Sequence, residues 1–142
     1  RQYPCLHSDI SRPDWRQLDF IAGIQNEPMK DLVKDLQFDK AVINLATPSS
    51  IQFPHTHGTS TVITYYINPD WKKEYYGETI FYDDSMTHCI GTSLYHTNSA
   101  VVFDGKIPHS IRPASHIAPS YRFSLSVFYR QKNFIEEAKN SS

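Results

Sequence analysis

Two histidines stand two residues apart in Pro54-His55-Thr56-His57-Gly58, just ahead of a strongly β-like run, and this pair constrains the fold more than any other feature. In an extended segment the side chains at i and i+2 project from the same face, so His55 and His57 can reach one metal ion together. A third imidazole, His109, follows 54 residues after His55 in Asp104-Gly105-Lys106-Ile107-Pro108-His109, behind a second β-rich run. Bringing it back beside the pair requires a sheet that rolls up on itself. The expectation is a mononuclear metal site made of His55, His57 and His109.

The pattern along the chain agrees with such a sheet. Short β-like runs fall at Ala41 to Thr47, Thr61 to Ile67, Glu78 to Tyr82, Ala100 to Phe103 and Arg122 to Tyr129. Turn signals such as Thr47-Pro48-Ser49-Ser50, Asn68-Pro69-Asp70 and Asp104-Gly105 separate them. Strands of this length and spacing point to a sandwich or jelly roll. Ahead of them, Trp15 to Phe38 reads as helical support: Met29, Leu32, Val33 and Leu36 recur at i, i+3, i+4 and i+7, with Asn26 before Glu27-Pro28 as the start. Residues 1–14 read as an irregular lead-in, and Phe134 to Lys139 as a short closing helix. The expected class is therefore mainly β with flanking helices, a double-stranded β-helix (jelly-roll, cupin-like) forming a single domain over residues 1–142, with helical support at 15–38 and a core at 39–130.

Composition narrows the function. With 142 residues and 39% hydrophobic content the chain can bury roughly 70% of its unfolded surface in one core. A net charge of −1 supplies no basic field for a nucleic-acid backbone or an anionic membrane. Trp71 beside Lys72-Lys73 offers too few cations to track phosphates. No apolar run approaches the roughly 20 residues that span a bilayer. Cys5 and Cys89 lack zinc or disulfide-framework spacing.

The last β run supplies a second chemical element. It alternates Phe123, Leu125 and Val127 with Arg122, Ser124 and Ser126. A guanidinium beside a hydroxyl suits a carboxylate, because its planar fork donates two parallel hydrogen bonds. Tyr65 or Tyr66, on the strand after the histidine pair, can add a phenolic donor to the same anion. Arg112 reads most simply as a solvated loop arginine, and His7, His88, His96 and His116 as surface residues.

Several motifs in order resemble the iron(II) and 2-oxoglutarate dependent dioxygenases, especially the prolyl 4-hydroxylase branch that includes hypoxia-factor prolyl hydroxylases and phage-encoded oxygenases. His55-Thr56-His57 stands where that family has His-x-Asp. Tyr65-Tyr66-Ile67-Asn68-Pro69-Asp70-Trp71 is similar to its Tyr-Tyr-Leu-Asn-x-x-Trp, and Gly77-Glu78-Thr79-Ile80-Phe81 to its Gly-Gly-Glu-Thr-x-Phe. Phe103 to His109 looks like the strand and turn that carry the distal histidine, and Arg122-x-Ser124 like the Arg-x-Ser that holds the tail carboxylate of 2-oxoglutarate.

The resemblance implies a jelly-roll oxygenase using Fe(II), 2-oxoglutarate and dioxygen to hydroxylate a C–H bond, of a prolyl residue in a peptide or protein or else of a small molecule. Catalytic residues would be His55, His57, His109 and Arg122, with His55, His57 and His109 on the metal and Arg122, Ser124 and Tyr65 on the cosubstrate. It departs from the family at His57, which replaces the carboxylate of the two-histidine, one-carboxylate triad. Asp83 and Asp84 are candidate substitute carboxylates, but their turn beyond the Glu78 to Tyr82 run gives no reason to place them at the metal. Two alternatives stay open: a three-histidine cupin-type dioxygenase that needs no 2-oxoglutarate, and a non-catalytic metal-binding jelly-roll module. No nucleic-acid or membrane partner is expected. Arg1 rather than Met stands first, so the natural start and any targeting signal are expected to lie outside these residues. The expected location is the cytoplasm, the host's if the chain is phage-encoded.

Overall fold

The computed structural model describes residues 6–48 and 50–131. Cys5 and the expected helix from Phe134 to Lys139 lie outside the described residues. The elements in chain order are β1 (Leu6–Asp9), α1 (Arg12–Leu18), α2 (Phe20–Gly23), α3 (Glu27–Val33), β2 (Gln37–Ala46), β3 (Ser60–Tyr66), a 3-10 turn (Lys73–Tyr75), β4 (Thr79–Tyr82), β5 (Cys89–Ser93), β6 (Ala100–Asp104), β7 (His109–Ile111) and β8 (Arg122–Arg130). Two antiparallel sheets form the jelly roll, one ordered β1-β2-β8-β3-β6 and the other β5-β4-β7.

The helices begin where the sequence offers caps. Asn26 accepts the Met29 N–H through its side chain at 3.0 Å, with Pro28 in the first turn, and Ser11 accepts the Asp14 N–H at 3.2 Å ahead of α1. The expected single helical region is in fact three short helices. Asp19, in the left-handed conformation at φ 45°, separates α1 from α2, and α3 ends at Val33 because Phe38 already belongs to β2. The lead-in is also more ordered than expected, since Leu6–Asp9 adds an edge strand on Leu45 to Val42.

Trp15 explains why the helices lie on the convex face of the larger sheet. Its ring stacks on Phe38 at 4.9 Å and meets Phe20 at 5.3 Å, in a core with Val33, Ala41, Ile63, Leu125, Val127 and Tyr129. The opposite face of the same strands holds Val42, Val62, Phe103 and Phe128, and Phe81 from β4 packs edge-on against Phe103 at 5.0 Å to tie the second sheet to the first. β8 is therefore buried on both sides, and its polar residues face the interior of the roll: Arg122 is 0% and Ser124 1% exposed.

Candidate metal and anion site

His55 and His109 form an isolated antiparallel bridge, each donating its N–H to the other's carbonyl at 3.0 Å, so the two imidazoles sit side by side. In each ring Nδ1 lies 2.9 Å from a backbone carbonyl, of Phe53 for His55 and Ile107 for His109. A neutral ring donates Nδ1–H there and presents the bare Nε2 outward, which fixes both tautomer and orientation for a metal. His57 completes the group. Its backbone N–H reaches the Gly105 carbonyl at 2.7 Å, and its ring centroid lies 4.8 Å from those of both His55 and His109. One ring nitrogen from each of the three lies within 4.8 Å of the others.

Gly105 is required at this point. A Cβ on it would lie 2.7 Å from the Ser60 carbonyl and 3.1 Å from the His57 Cβ, so only glycine lets the β6–β7 turn pass this close to the histidine pair.

The donor set fits a divalent transition metal. Burial, reinforced by the charges of His109, His55 and Lys40, pulls His57 down to about 4. Burial does the same to His109, whose hydrogen bond to Ile107 only partly opposes it. Both rings are thus neutral ligands at neutral pH.

The imidazoles open into a cavity of about 210 Å³, whose wall includes Lys40, Asn44, Gln52, Thr79, Ser124 and Phe128. The Gln52 Oε1 is buried there without a hydrogen-bond partner. A cavity wall with a polar atom awaiting a ligand suits a small, multiply hydrogen-bonding molecule. Arg122 lies beneath the wall, not in it. Its Nε donates to the Gly77 carbonyl at 2.9 Å and its Nη1 to Ser124 Oγ at 3.3 Å, so Ser124 stands between guanidinium and cavity. Tyr66 and Tyr95 flank it, with the guanidinium 5.7 and 5.1 Å from their ring centroids.

The Tyr-Tyr-Ile-Asn-Pro-Asp-Trp motif builds this cage. Asn68 accepts the Phe123 N–H at 2.6 Å and donates to the Tyr121 carbonyl at 2.8 Å, clamping the start of β8. The buried Trp71 donates its indole N–H to the Tyr76 carbonyl at 2.7 Å, just before Gly77. At Gly77, φ is +88° and a Cβ would sit 3.1 Å from Arg122 Cδ and Nε, so glycine is needed both for the turn and for the arginine's approach.

Some expectations need correction. Tyr65 points to the convex face, where its hydroxyl donates to Asn98 and its ring meets Phe20 edge-on at 6.0 Å, so it is not the phenolic donor of the site. Tyr66 is the tyrosine on the inner face, bonded to Thr79 Oγ1 and Ser93 Oγ at 2.9 Å each. Lys40, which belongs to no motif, lines the cavity from β2, and His7, exposed on β1 as expected, borders it too. Arg112 packs 3.5 Å over the Tyr76 ring and pairs with Glu78 at 3.5 Å in a separate surface groove. Asp83 is absorbed by its own turn, accepting the N–H groups of Thr87 and His88 at 2.9 and 3.1 Å.

No family model and no curated protein matches this sequence. Solved structures do match in fold, and prolyl 4-hydroxylases are among them. The chain aligns with the Pseudomonas putida prolyl-4-hydroxylase at a TM-score of 0.62 and 18% identity, over 88% of this chain and 68% of that one. It aligns with the Trichoplax adhaerens prolyl hydroxylase, solved with a hypoxia inducible factor peptide, at 0.61 and 12%, over 89% and 63%. A Phytophthora capsici prolyl 4-hydroxylase gives 0.63 and 14%, over 93% and 50%. The chain therefore spans 50–68% of the length of these enzymes. It shares the jelly-roll fold of these proteins, and its described residues bring three histidines together.

Proposed function

We propose that this chain is an iron(II) and 2-oxoglutarate dependent oxygenase that hydroxylates a C–H bond, of a prolyl residue in a peptide or protein. The observation that carries the reading is the joining, inside one jelly-roll cavity, of three convergent imidazoles with a polar floor at Ser124 backed by the buried Arg122. His55, His57 and His109 would hold iron, which supplies dioxygen activation when bound. Ser124, whose Oγ accepts from Arg122, and Thr79 would donate their hydroxyl protons to the tail carboxylate of 2-oxoglutarate while Arg122 offsets its charge from below. The apolar wall of Val62, Phe103 and Phe128 limits water around the imidazoles.

The third imidazole itself favours a second reading, an iron dioxygenase that binds its substrate directly and uses no 2-oxoglutarate. Incubating the purified, iron-loaded protein with and without 2-oxoglutarate and measuring succinate separates the two. Succinate formed in proportion to 2-oxoglutarate consumed supports the first reading; oxygen uptake that ignores 2-oxoglutarate supports the second.

A further inference from the structure

The β2 strand does not alternate regularly. Phe38 pairs with Tyr129 and Lys40 with Phe128, so Asp39 is an extra residue in a β-bulge. The consequence is a change of face. Phe38 packs outward on Trp15 and Ala41 lies in the same convex core, whereas Lys40 is turned inward to line the cavity. Regular alternation would have placed Lys40 on the side of Phe38. Its ammonium sits 5.0 Å over the Phe128 ring, and the His57 ring meets that same ring at 4.9 Å. Lys40 thus stands beside the metal-binding imidazoles, at the end of the inner face opposite Arg122.

Among the described residues, no acid pairs with it. The neighbouring carboxylate, Asp39, pairs with Arg130 at 3.7 Å, and no ion pair among the described residues includes Lys40. Among the described residues, no Asp or Glu lines the cavity, whose polar wall is made of Lys40, histidines, amides and hydroxyls. His57, where a carboxylate would have supplied negative charge, removes the last acid from the centre. A cavity with a cation at one end, a second cation under the other end and no internal acid is built for two anionic groups.

We propose that the substrate acted on at this site carries a carboxylate, held by Lys40 next to the metal-binding histidines. This rests on the oxygenase reading above and assigns the Arg122 end to the cosubstrate. Gln52, whose amide Oε1 is unpartnered in the same wall, is placed to hydrogen-bond the same molecule. At about 210 Å³ the cavity is smaller than the ~300–1,000 Å³ of drug-sized sites, so it admits a small acid or one acidic end of a longer chain.

The test is a titration of isotope-labelled, Zn(II)-loaded protein, followed through the backbone amide resonances of Lys40, Val42 and Ser126, with and without saturating 2-oxoglutarate. Probes are N-acetyl-L-proline and N-acetyl-L-alanine, their amides, and a short prolyl peptide with either Asp or Asn beside the proline. The acids should bind at least ~10-fold more tightly than the amides. Lys40→Met should abolish that preference and Lys40→Arg should keep it, while both leave 2-oxoglutarate affinity within ~2-fold of wild type, since Lys40 stands at the end of the inner face away from Arg122 and Ser124. A preference for the Asp peptide over the free acids identifies a peptide source, and the reverse a small molecule. Equal binding of acids and amides, no binding of any probe, or an acid preference that survives in Lys40→Met overturns the proposal. So does loss of 2-oxoglutarate binding in Lys40→Met, which would make Lys40 the cosubstrate's clamp. If 2-oxoglutarate never binds but the Lys40-dependent acid preference persists, the 2-oxoglutarate reading fails and the acid site stands.

Discussion

At His57 the chain puts a neutral imidazole where a carboxylate would bring a negative charge to the metal. On a metal held here, the imidazole would raise the net charge of the site by one, which suits a divalent ion but gives less support to higher oxidation states. His57→Asp should therefore raise 2-oxoglutarate turnover, read as succinate formed per minute, even if the shorter side chain weakens metal affinity. An unchanged or lower rate at saturating iron would mean that charge at this position does not limit the reaction. Arg122 carries a separate expectation. Arg122→Ala should weaken 2-oxoglutarate binding by about 2–5 kcal/mol while leaving metal content intact, because a buried carboxylate would lose its compensating charge. Calorimetric titration of the folded variant checks this, and equal affinity in both proteins would remove Arg122 from the cosubstrate site.

The turn between β6 and β7 shows how elements place these residues. Gly105→Ala forces a Cβ to 2.7 Å from the Ser60 carbonyl, so the turn must move away from β3 and from His57. The expected result is a loss of about 1–3 kcal/mol in stability, measured by urea unfolding, together with weaker metal binding. A variant with wild-type values for both would show that the turn does not set the position of His57. The motif from Phe103 to His109 was legible in the sequence because a glycine turn and a proline mark it, and the runs that became β2, β3, β4, β6 and β8 were legible from their apolar, β-branched content. Strands β1, β5 and β7 were not. Leu6–Asp9 is exposed along its length, Cys89–Ser93 has no apolar alternation and His109–Ile111 is three residues long, so pairing with neighbours, not local propensity, makes them strands. The choice between Tyr65 and Tyr66 failed for a related reason: β3 lies between β8 and β6 with both faces covered, and a strand buried on both sides shows no period-2 signal. Lys40 was hidden by the bulge at Asp39, which inverts the facing that simple alternation assigns.

For the whole molecule, the histidine cluster couples stability to pH. His57 and His109 titrate at about 4 in the folded apo protein against an ordinary value of 6.5, burial being the main cause in both. Between those values the unfolded chain holds more protons than the folded one, so stability falls as pH falls through that window and is insensitive to these groups above it. Solvent screening keeps the loss below about 3 kcal/mol for each histidine, and bound metal adds a stabilisation that stays constant while the folded rings are neutral and is lost only as pH falls toward about 4. Urea midpoints for apo and metal-loaded protein should run parallel from about pH 7 to about pH 5 and converge as pH falls toward about 4, where protons displace the metal; a metal-dependent gap that persists unchanged below about pH 4 would contradict a shared histidine site. The most direct measurement is an anaerobic Fe(II) titration of wild-type protein beside His55→Ala, His57→Ala and His109→Ala. One iron per chain, with affinity reduced more than the ~10- to 100-fold typical of outer hydrogen-bonding partners in all three variants, is the predicted result. Wild-type affinity in any one of them would contradict a metal held by the three histidines together.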